Sequence, residues 1–547
     1  MNFKDKVVYQ IYPKSFYDTN GDGIGDLKGI TKKLDYLKEL GVDYIWITPF
    51  FISPQYDNGY DVEDYYNIDP IFGTMADLEE LIEEAKDRGI YLMFDMVFNH
   101  TSTRHEWFKK AMSGDEHYKN FYFFKKGKED GSMPTNWDSK FGGKSWEYVP
   151  ELGEYYLHLY AKEQADLNWS NEEVRKEMIK ILKFWLDKGV RGFRFDVVNN
   201  IDKRSFEDCP NGIGKQFYCD QPKVHEYLHE MNTKAYGGVE NCITVGEMSA
   251  TSVENSIGYT KPDNKELDMV FSFHHLKVDY KNKEKWTSMP FDFMELKNLL
   301  NTWQVKMQEG NGWNALFLNC HDQPRSVSRF GDDKKYRKES AKMLASTIHL
   351  MRGTPYIYQG EEIGMTNGNF EDIKQYKDIE TINAYNNLKN QGKNEDEIRK
   401  ILQEKSRDNA RTPMQWDSSE KSGFSTGNPW IEVNKNYKEI NVENDLKDSN
   451  SIYKYYQKLI QLRKEYKVIS EGIYTPLFEE HDSIFAYSRS YNNEELIVLN
   501  NFYGKQTSIY IDDVKSYKVL ISNYDNLELE ESIVLRPYET IALYKKL

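Results

Sequence analysis

Cysteine and long apolar runs are both scarce in this chain of 547 residues. The four cysteines, Cys209, Cys219, Cys242 and Cys320, are too few for a disulfide framework and lack the paired spacing of a metal site. Cys209 and Cys219 could form a bridge, but we expect free thiols. No run of 18 apolar residues occurs, and the first residues lack the apolar segment of a secretion signal. We therefore predict a soluble, unexported, cytoplasmic protein.

Basic residues are also fewer than acidic residues. Lys and Arg number 72 against 88 Asp and Glu, which gives a net charge of −16. That charge opposes binding to a phosphate backbone or an anionic lipid surface, so we exclude nucleic acid and membranes as partners. Hydrophobic residues make up 39% and aromatic residues 14%, enough apolar surface for a sizeable core. The length suggests three or four domains, or one large domain with attachments.

Short apolar segments of strand character alternate with amphipathic helical patterns. The helical pattern along Ile30, Leu34 and Leu40 is one example, and another predicted helix begins at a capping box of Ser170 and Glu173. The eight strand-like segments are residues 7–13, 44–50, 91–97, 192–198, 243–248, 269–275, 314–320 and 355–362. This alternation predicts an α/β protein with parallel strands closed into a (β/α)8 TIM barrel, with a doubly wound open sheet as the alternative.

Two regions interrupt the alternation. Residues 101–168 are irregular and predict an inserted subdomain B after strand 3. Residues 476–547 contain short strands at turn-like spacing and predict a C-terminal antiparallel, all-β domain. The catalytic barrel then comprises residues 1–100 and 169–475. We interpret the charged stretch 391–408 as a solvated helix face.

Acidic side chains follow three of the predicted strands at their carboxyl ends, where such barrels carry their reactive groups. Arg194 and Asp196 share one face of their strand, and the guanidinium should keep the pKa of Asp196 low, as a nucleophile requires. Glu247 ends its strand among apolar residues, which favours the protonated form of a general acid. Asp322 lies beside His321. Two opposed carboxyl groups are what glycoside hydrolysis needs, although acids that merely hold the rim together are the alternative.

Six segments together resemble the alpha-amylase family of retaining glycoside hydrolases. They are FNH at 98–100, QADLN at 164–168, GFRFD at 192–196, VGE at 245–247, NCHD at 319–322 and YQGEE at 358–362. The resemblance extends over nearly the whole chain. It implies that Asp196 is the nucleophile that forms a covalent glycosyl intermediate, that Glu247 is the general acid and base, and that Asp322 stabilises the transition state.

The same resemblance implies which residues surround the glucose unit at the bond that is cut. His100, Arg194 and His321 would line its subsite. Asp57 and Tyr60 would hold its non-reducing end, Tyr60 by stacking. Arg411 would reach the same subsite, with Arg407 as the competing choice.

The segment DTNGDGIGD has oxygen ligands at alternate positions, as a calcium loop needs. The ligands would be Asp18, Asn20, Asp22, Ile24 and Asp26. The loop departs from the EF-hand pattern because its twelfth position is Gly29, so a turn rich in Gly and Asp without an ion is the alternative. In the resembling exo-glucosidases this loop carries a structural calcium ion, and we expect Ca2+ here and no organic cofactor.

The bond that is cut is suggested by resemblance alone. Val197, directly after the expected nucleophile, is typical of enzymes that cut alpha-1,6 or alpha-1,1 bonds, and DNGY with QGEEIG resembles the oligo-1,6-glucosidase group. Segments 133–143, 246–252 and 271–280 are similar to trehalose-6-phosphate hydrolases. These similarities imply hydrolysis of trehalose 6-phosphate to glucose and glucose 6-phosphate.

A sugar phosphate needs a local cation on so acidic a chain. His274, His275 and Lys277 at the end of the sixth predicted strand are the candidates, and we interpret the lysines at 281–285 as surface charges. The expected partner is thus a small phosphorylated disaccharide, bound by a monomer or homodimer. Two alternatives stay open: an oligo-1,6-glucosidase acting on isomaltose-like ends, and a non-catalytic relative that kept the barrel for binding.

Overall fold

Eight strands at the predicted places form one sheet in the computed structural model, which describes residues 3–525 and 529–547. They are β1 (Val8–Ile11), β2 (Tyr44–Ile47), β3 (Tyr91–Met96), β4 (Gly192–Phe195), β5 (Ile243–Met248), β6 (Met269–Ser272), β7 (Ala315–Leu316) and β8 (Thr354–Tyr358). Their order in the sheet is β6-β5-β4-β3-β2-β1-β8-β7. This is the cyclic chain order of a (β/α)8 barrel, whereas a doubly wound sheet reverses its order at a switch point. The predicted fold class is confirmed.

Seventeen α-helices are found among the described residues. They are α1 (Leu27–Lys32), α2 (Leu34–Leu40), α3 (Met75–Asp87), α4 (Glu106–Met112), α5 (Glu116–Lys119), α6 (Glu172–Asp187), α7 (Lys223–Met231), α8 (Val253–Thr260), α9 (Phe293–Glu309), α10 (Ser326–Phe330), α11 (Arg337–His349), α12 (Ile379–Asn390), α13 (Glu395–Lys405), α14 (Asp408–Arg411), α15 (Val442–Lys447), α16 (Ile452–Glu465) and α17 (Lys467–Glu471).

The chain divides into two compact units. The first comprises residues 46–86 and 91–273, and the second comprises the residues up to 45 together with 87–90 and 274–547. In the first unit β3, β4, β5 and β6 pair in parallel, and the register sets Arg194 opposite Asp95 on the neighbouring strand. Because paired residues of neighbouring strands point to the same face of the sheet, the side chains of Arg194 and Asp95 lie on one face.

Residues 101–168 of the first unit form α4, α5 and small antiparallel sheets. One sheet joins Phe124–Lys125, Glu154–Leu157 and Trp146–Val149, and a second pairs His100–Ser102 with Gln164–Asp166. Trp137, Trp146 and Leu159 form a buried apolar cluster that also includes Val197, next to the expected nucleophile. The predicted bounds of the three domains stay predictions.

The second unit ends in antiparallel sheets, as the sequence predicted. The strands are β9 (Ile473–Leu477), β10 (Ile484–Tyr491), β11 (Glu494–Asn501), β12 (Thr507–Tyr510), β13 (Lys518–Ser522), β14 (Ser532–Leu535) and β15 (Thr540–Lys546). Five of them pair in the order β9-β10-β11-β15-β13, and β12 pairs with β14. Ile484, Leu499 and Leu543 lie in the buried core of this region, because alternate residues of each strand point inward.

Three local predictions were wrong in detail. The first predicted helix is two helices, since Lys33 between α1 and α2 departs from helical dihedrals. The N-cap of α6 is Asn171, whose side chain accepts from the Glu173 amide, rather than Ser170. The charged segment 391–408 contains α13, but this helix is amphipathic and packs an apolar side that includes Ile398 and Ile401 into a buried cluster.

Two expectations about the whole chain are also addressed by the structure. All four cysteines are free thiols, as expected. Within the described residues, no helix is both long enough and apolar enough to cross a membrane.

Candidate active site

One buried guanidinium holds three carboxylates in the first unit. Arg194 donates from Nη1 to Asp95 Oδ1 at 2.7 Å and to Asp196 Oδ1 at 2.6 Å, and from Nη2 to Glu247 Oε2. The carboxyl groups of Asp196 and Glu247 are thus held by the same guanidinium. The expected nucleophile and the expected general acid are therefore neighbours, as the sequence predicted, on the ends of β4 and β5.

Burial decides the protonation of this cluster. Removal from water raises the pKa of Asp196 to about 6 even though Arg194 lowers it, and the nearby Asp95 charge raises it further. The pKa of Asp95 is likewise raised to about 6, first by burial. The prediction that the guanidinium keeps the pKa of Asp196 low is wrong, because burial outweighs the effect of Arg194 and the Asp95 charge adds to it. Asp196 is still roughly nine-tenths ionised at pH 7.

Val197 takes a rare backbone conformation directly after Asp196. Its φ of 37° and ψ of 39° are left-handed, which a β-branched side chain seldom adopts. The turn brings the Val197 amide to 3.4 Å from Glu247 Oε2 and buries the side chain in the aromatic cluster around Trp137. Such strain at a functional position is held in place by the surrounding packing.

The residues implied to hold the glucose unit are assembled in the same unit. Gln164 donates to Asp57 Oδ2 at 3.1 Å and to the Tyr60 carbonyl at 3.0 Å, while the Tyr60 hydroxyl donates to Asp95 Oδ2 at 2.9 Å. His100 is buried with its Nε2 3.0 Å from the Tyr60 carbonyl, and burial lowers its pKa to about 4. His100 is thus neutral at pH 7 and suited to hydrogen bonding.

The turn that carries Asp57 and Tyr60 depends on one glycine. Gly59 has a φ of +101°, and a Cβ atom there would lie 2.7 Å from the Pro49 carbonyl oxygen. Any other residue at this position would push the turn away from β2 and displace Tyr60 from Asp95.

A second cluster of arginines and carboxylates lies in the second unit, around Asp322. Arg411 Nη2 and Arg407 Nη1 donate to Asp322 Oδ1 at 2.9 and 3.1 Å, and Arg407 Nε also donates to Asp378 Oδ1 at 3.0 Å. His321 Nε2 lies 3.2 Å from Asp322 Oδ2. The sequence left open whether Arg407 or Arg411 belongs to this set, and both contact Asp322.

Electrostatics fix Asp378 in its ionised form. Burial alone would raise the pKa of Asp378, but Arg407 and Arg411 together bring it well below its usual range. Asp378 caps α12 through its carboxylate, which accepts from the Thr381 amide at 3.0 Å. The helix terminus and the two guanidiniums therefore position Asp378 as a permanent anion.

The candidates for phosphate binding at the end of β6 differ in their surroundings. His275 Nε2 lies 2.8 Å from the Phe317 carbonyl, and burial lowers the pKa of His275 to about 4. A neutral ring cannot supply charge, so the prediction of a cationic His275 is wrong. His274 packs its ring 5.2 Å from that of Trp303, while Lys277 is exposed. Lys285 is engaged in an ion pair with Glu380 at 2.6 Å.

The candidate calcium loop closes on its own backbone. Asp18 accepts from the amides of Asn20, Gly21 and Gly23 and from the Ser425 hydroxyl, while Asp26 caps α1. Asn20 and Asp22 accept from amides two residues further on, and Ile24 donates its amide to Asp22. Among the described residues no group of three or more His, Cys, Asp or Glu side chains is placed to hold a metal ion. Uptake of an ion here requires Asp18 to exchange some of these hydrogen bonds, and calcium stays a prediction.

Two site residues escaped sequence reasoning. Asp95 is a single acid inside the apolar strand β3, and Asp378 is at an ordinary helix N-cap. Asp95 could have been predicted from the sequence, because a carboxylate in a buried, apolar strand needs a cation on a neighbouring strand. Asp378 could not, since its partner Arg407 lies 29 positions away in the chain.

Comparison with known proteins agrees with this geometry. The alpha amylase catalytic domain model matches residues 10–472, and the alpha-amylase SusG C-terminal domain model matches residues 484–542. The chain belongs to the alpha-amylase family. This family member is 55% identical to the trehalose-6-phosphate hydrolase of Bacillus subtilis, with 98% of this chain and 97% of that protein covered.

Two further relatives of this alpha-amylase family enzyme are informative. The oligo-1,6-glucosidase of Parageobacillus thermoglucosidasius is 51% identical, with 98% of both chains covered. The solved structure of the trehalose-6-phosphate hydrolase of Bacillus licheniformis superposes with a TM-score of 0.96 at 54% identity, covering 100% of both chains. The chain is thus a glycoside hydrolase by family, and the reading of it as a non-catalytic relative has no support.

Proposed function

We propose that this enzyme hydrolyses trehalose 6-phosphate to glucose and glucose 6-phosphate with retention at the anomeric carbon. The observation that carries the proposal is the 55% identity, over nearly both full lengths, to a trehalose-6-phosphate hydrolase. The pairing of Asp196 and Glu247 on Arg194 supports the chemistry. Two carboxyl groups that accept from one guanidinium lie close together, which suits a retaining enzyme, because an inverting enzyme separates them by about 6.5–9.5 Å.

The reaction proceeds by two displacements at the anomeric carbon. Asp196 attacks this carbon while Glu247 gives its proton to the glycosidic oxygen, so that the bond to glucose 6-phosphate breaks and a glucosyl ester of Asp196 forms. Water then attacks the same carbon and gives a proton to Glu247, the ester bond to Asp196 breaks, and glucose leaves with Asp196 again a carboxylate. The family resemblance gives Asp322 the role of binding sugar hydroxyls in the transition state.

Phosphate recognition separates this reaction from hydrolysis of neutral disaccharides. Lys277 is exposed at the end of β6 and keeps the role expected for it. A charge-assisted contact to phosphate contributes roughly 1.5–3 kcal/mol, equivalent to about ten- to a hundredfold discrimination against neutral trehalose.

Parallel assays of trehalose 6-phosphate, trehalose and isomaltose test the proposal. We expect the highest kcat/KM for trehalose 6-phosphate, with equimolar glucose and glucose 6-phosphate as products. A higher kcat/KM for isomaltose than for trehalose 6-phosphate would contradict the proposal. It would favour the second candidate, an oligo-1,6-glucosidase, which the 51% identity to such an enzyme supports.

We also propose a structural calcium ion in the loop of residues 18–26, on the strength of its alternating oxygen groups. Stripping the protein with a chelator should lower the melting temperature by a few degrees, and calcium in excess should restore it. A melting temperature that changes with neither treatment would contradict the proposal of a bound calcium ion. The cytoplasmic location and the monomeric or homodimeric state stay predictions.

A further inference from the structure

Lys140 joins two segments that the sequence singled out separately, 133–143 and 246–252. Its ammonium donates to the Ser249 hydroxyl at 2.5 Å. Ser249 itself is anchored, because its amide donates to Asn199 Oδ1 at 3.1 Å. The side chain of Lys140 is therefore held at a defined place above the end of β5.

The Lys140 ammonium contacts two aromatic rings and no carboxylate pairs with it among the described residues. The rings of Tyr160 and Tyr218 lie 5.3 and 5.4 Å from Nζ. Within residues 3–525 and 529–547 no carboxylate forms a salt bridge with Lys140, whereas the nearby Lys144 pairs with Asp138 at 2.6 Å. The side chain keeps an exposed surface, so an anion can reach the ammonium.

Lys140 stays mostly charged at neutral pH. Its pKa is lowered to about 8, first because the packed surroundings disfavour the charged form, although the charges of Cys219 and Glu247 raise it. A cation without a carboxylate partner gains more from an incoming anion than a lysine that is already paired, as Lys144 is with Asp138.

The position of Lys140 relative to the catalytic acid Glu247 indicates the function of its positive charge. Ser249 follows Glu247 by two residues, and Glu247 is the group that protonates the departing oxygen. The Tyr160 ring lies 5.3 Å from the ring of His100 and 5.3 Å from the Lys140 ammonium. Lys140 therefore contacts the same tyrosine ring as His100, which is implied to line the glucose subsite. It also contacts Ser249 in the loop that follows Glu247, the proton donor.

We propose that Lys140, positioned by Ser249, binds the phosphate group of the departing glucose 6-phosphate unit. This inference rests on the proposed function and adds a specificity residue from the first unit to the candidates at the end of β6. It assigns the aromatic pair Tyr160 and Tyr218 the task of orienting the lysine stem without neutralising its charge.

Product inhibition tests the inference independently of substrate preference. Turnover of the neutral substrate p-nitrophenyl alpha-glucoside is measured with added glucose 6-phosphate or glucose. In the unaltered enzyme we expect glucose 6-phosphate to inhibit at least tenfold more strongly than glucose. Lys140→Gln should weaken inhibition by glucose 6-phosphate about ten- to a hundredfold and leave inhibition by glucose within about twofold. Lys144→Gln, in which a paired surface lysine is lost, should change neither constant.

A second measurement separates the two proposals. The ratio of kcat/KM for trehalose 6-phosphate to that for the neutral substrate should fall ten- to a hundredfold in Lys140→Gln and recover largely in Lys140→Arg. Equal inhibition constants for glucose 6-phosphate in the unaltered enzyme and Lys140→Gln would overturn the role of Lys140, whatever the preferred substrate. A preference of the unaltered enzyme for isomaltose would overturn the proposed function instead.

Discussion

The two arginine–carboxylate clusters of this enzyme differ in the number of cations per carboxylate. In the first unit Arg194 alone faces Asp95, Asp196 and Glu247, whereas in the second unit Arg407 and Arg411 face Asp322 and Asp378. Both clusters are largely buried, so desolvation acts on both. The pKa of Asp196 is nevertheless raised, to about 6, while that of Asp378 is lowered.

The difference teaches that the ratio of cations to acids decides what a buried carboxylate can do. With too few cations, a carboxylate cluster retains protons near neutral pH, which suits acid–base and nucleophilic chemistry. With two guanidiniums beside it, Asp378 is a permanent anion that serves to bind and orient. The folded-state pKa of Asp378 lies below its unfolded value, so its stabilising contribution is present above about pH 4 and is lost only as the pH falls further.

Removal of the nucleophile is expected to have the largest effect on the first cluster. Asp196→Asn keeps the size of the side chain but cannot form the glucosyl ester, so kcat should fall roughly 10^4- to 10^6-fold. Steady-state assay with trehalose 6-phosphate measures the loss, and circular dichroism confirms that the variant is folded. Undiminished hydrolysis would show that Asp196 is only a structural partner of Arg194.

Chemical rescue sharpens the same prediction. Asp196→Gly leaves space beside the anomeric carbon, and added azide should attack from the side of the missing carboxylate. The product is then a glucosyl azide of inverted configuration, identifiable by NMR. An azide product of retained configuration would place the nucleophile elsewhere.

Removal of a permanent anion is expected to affect stability more than chemistry. Asp378→Asn leaves two buried guanidiniums with Asp322 as their remaining shared carboxylate, which should lower the free energy of unfolding by about 3–5 kcal/mol. Urea denaturation measures this change. Glu443→Gln, which breaks the exposed pair with Lys447 at 2.6 Å, is the control and should cost less than about 1 kcal/mol. Equal costs for the two substitutions would mean that burial adds nothing to the second cluster.

The sequence predicted the fold because hydrophobic period and strand spacing are local properties. The eight strands and the C-terminal sheets were visible as apolar runs between helical stripes. Helix ends were less predictable: Asn171 and Ser170 are both good caps, and only the hydrogen bond to the Glu173 amide distinguishes them. The break between α1 and α2 at Lys33 has no signal in the apolar pattern of Leu34 and Leu40.

Residue identities at the site were predictable, whereas their protonation was not. Arg194 and Asp196 are two residues apart at the end of β4. Their contact follows because alternate residues of a strand point to the same face. The pKa of Asp196 depends also on Asp95, which lies 99 positions from Arg194 and reaches it only through the register of β3 and β4. The balance of charge among residues that are far apart in the chain cannot be predicted from the sequence of one strand.

The acid side of the pH profile offers the finest test of the comparison. Asp196 must be ionised to attack, so kcat/KM should fall as the pH drops through about 6. Asp95→Asn removes one of the charges that raise the pKa of Asp196, and the acid limb should therefore move to lower pH. The same substitution disturbs the hydrogen bond from the Tyr60 hydroxyl, so the plateau value should fall by about tenfold. The control is Asp268→Asn: Asp268 is half-buried, has a pKa raised to about 6 and accepts from Thr244, and its loss should leave the limb in place. If the limb moves in Asp268→Asn and stays fixed in Asp95→Asn, the proton is not held by the Arg194 cluster, and the contrast between the two clusters does not explain the chemistry.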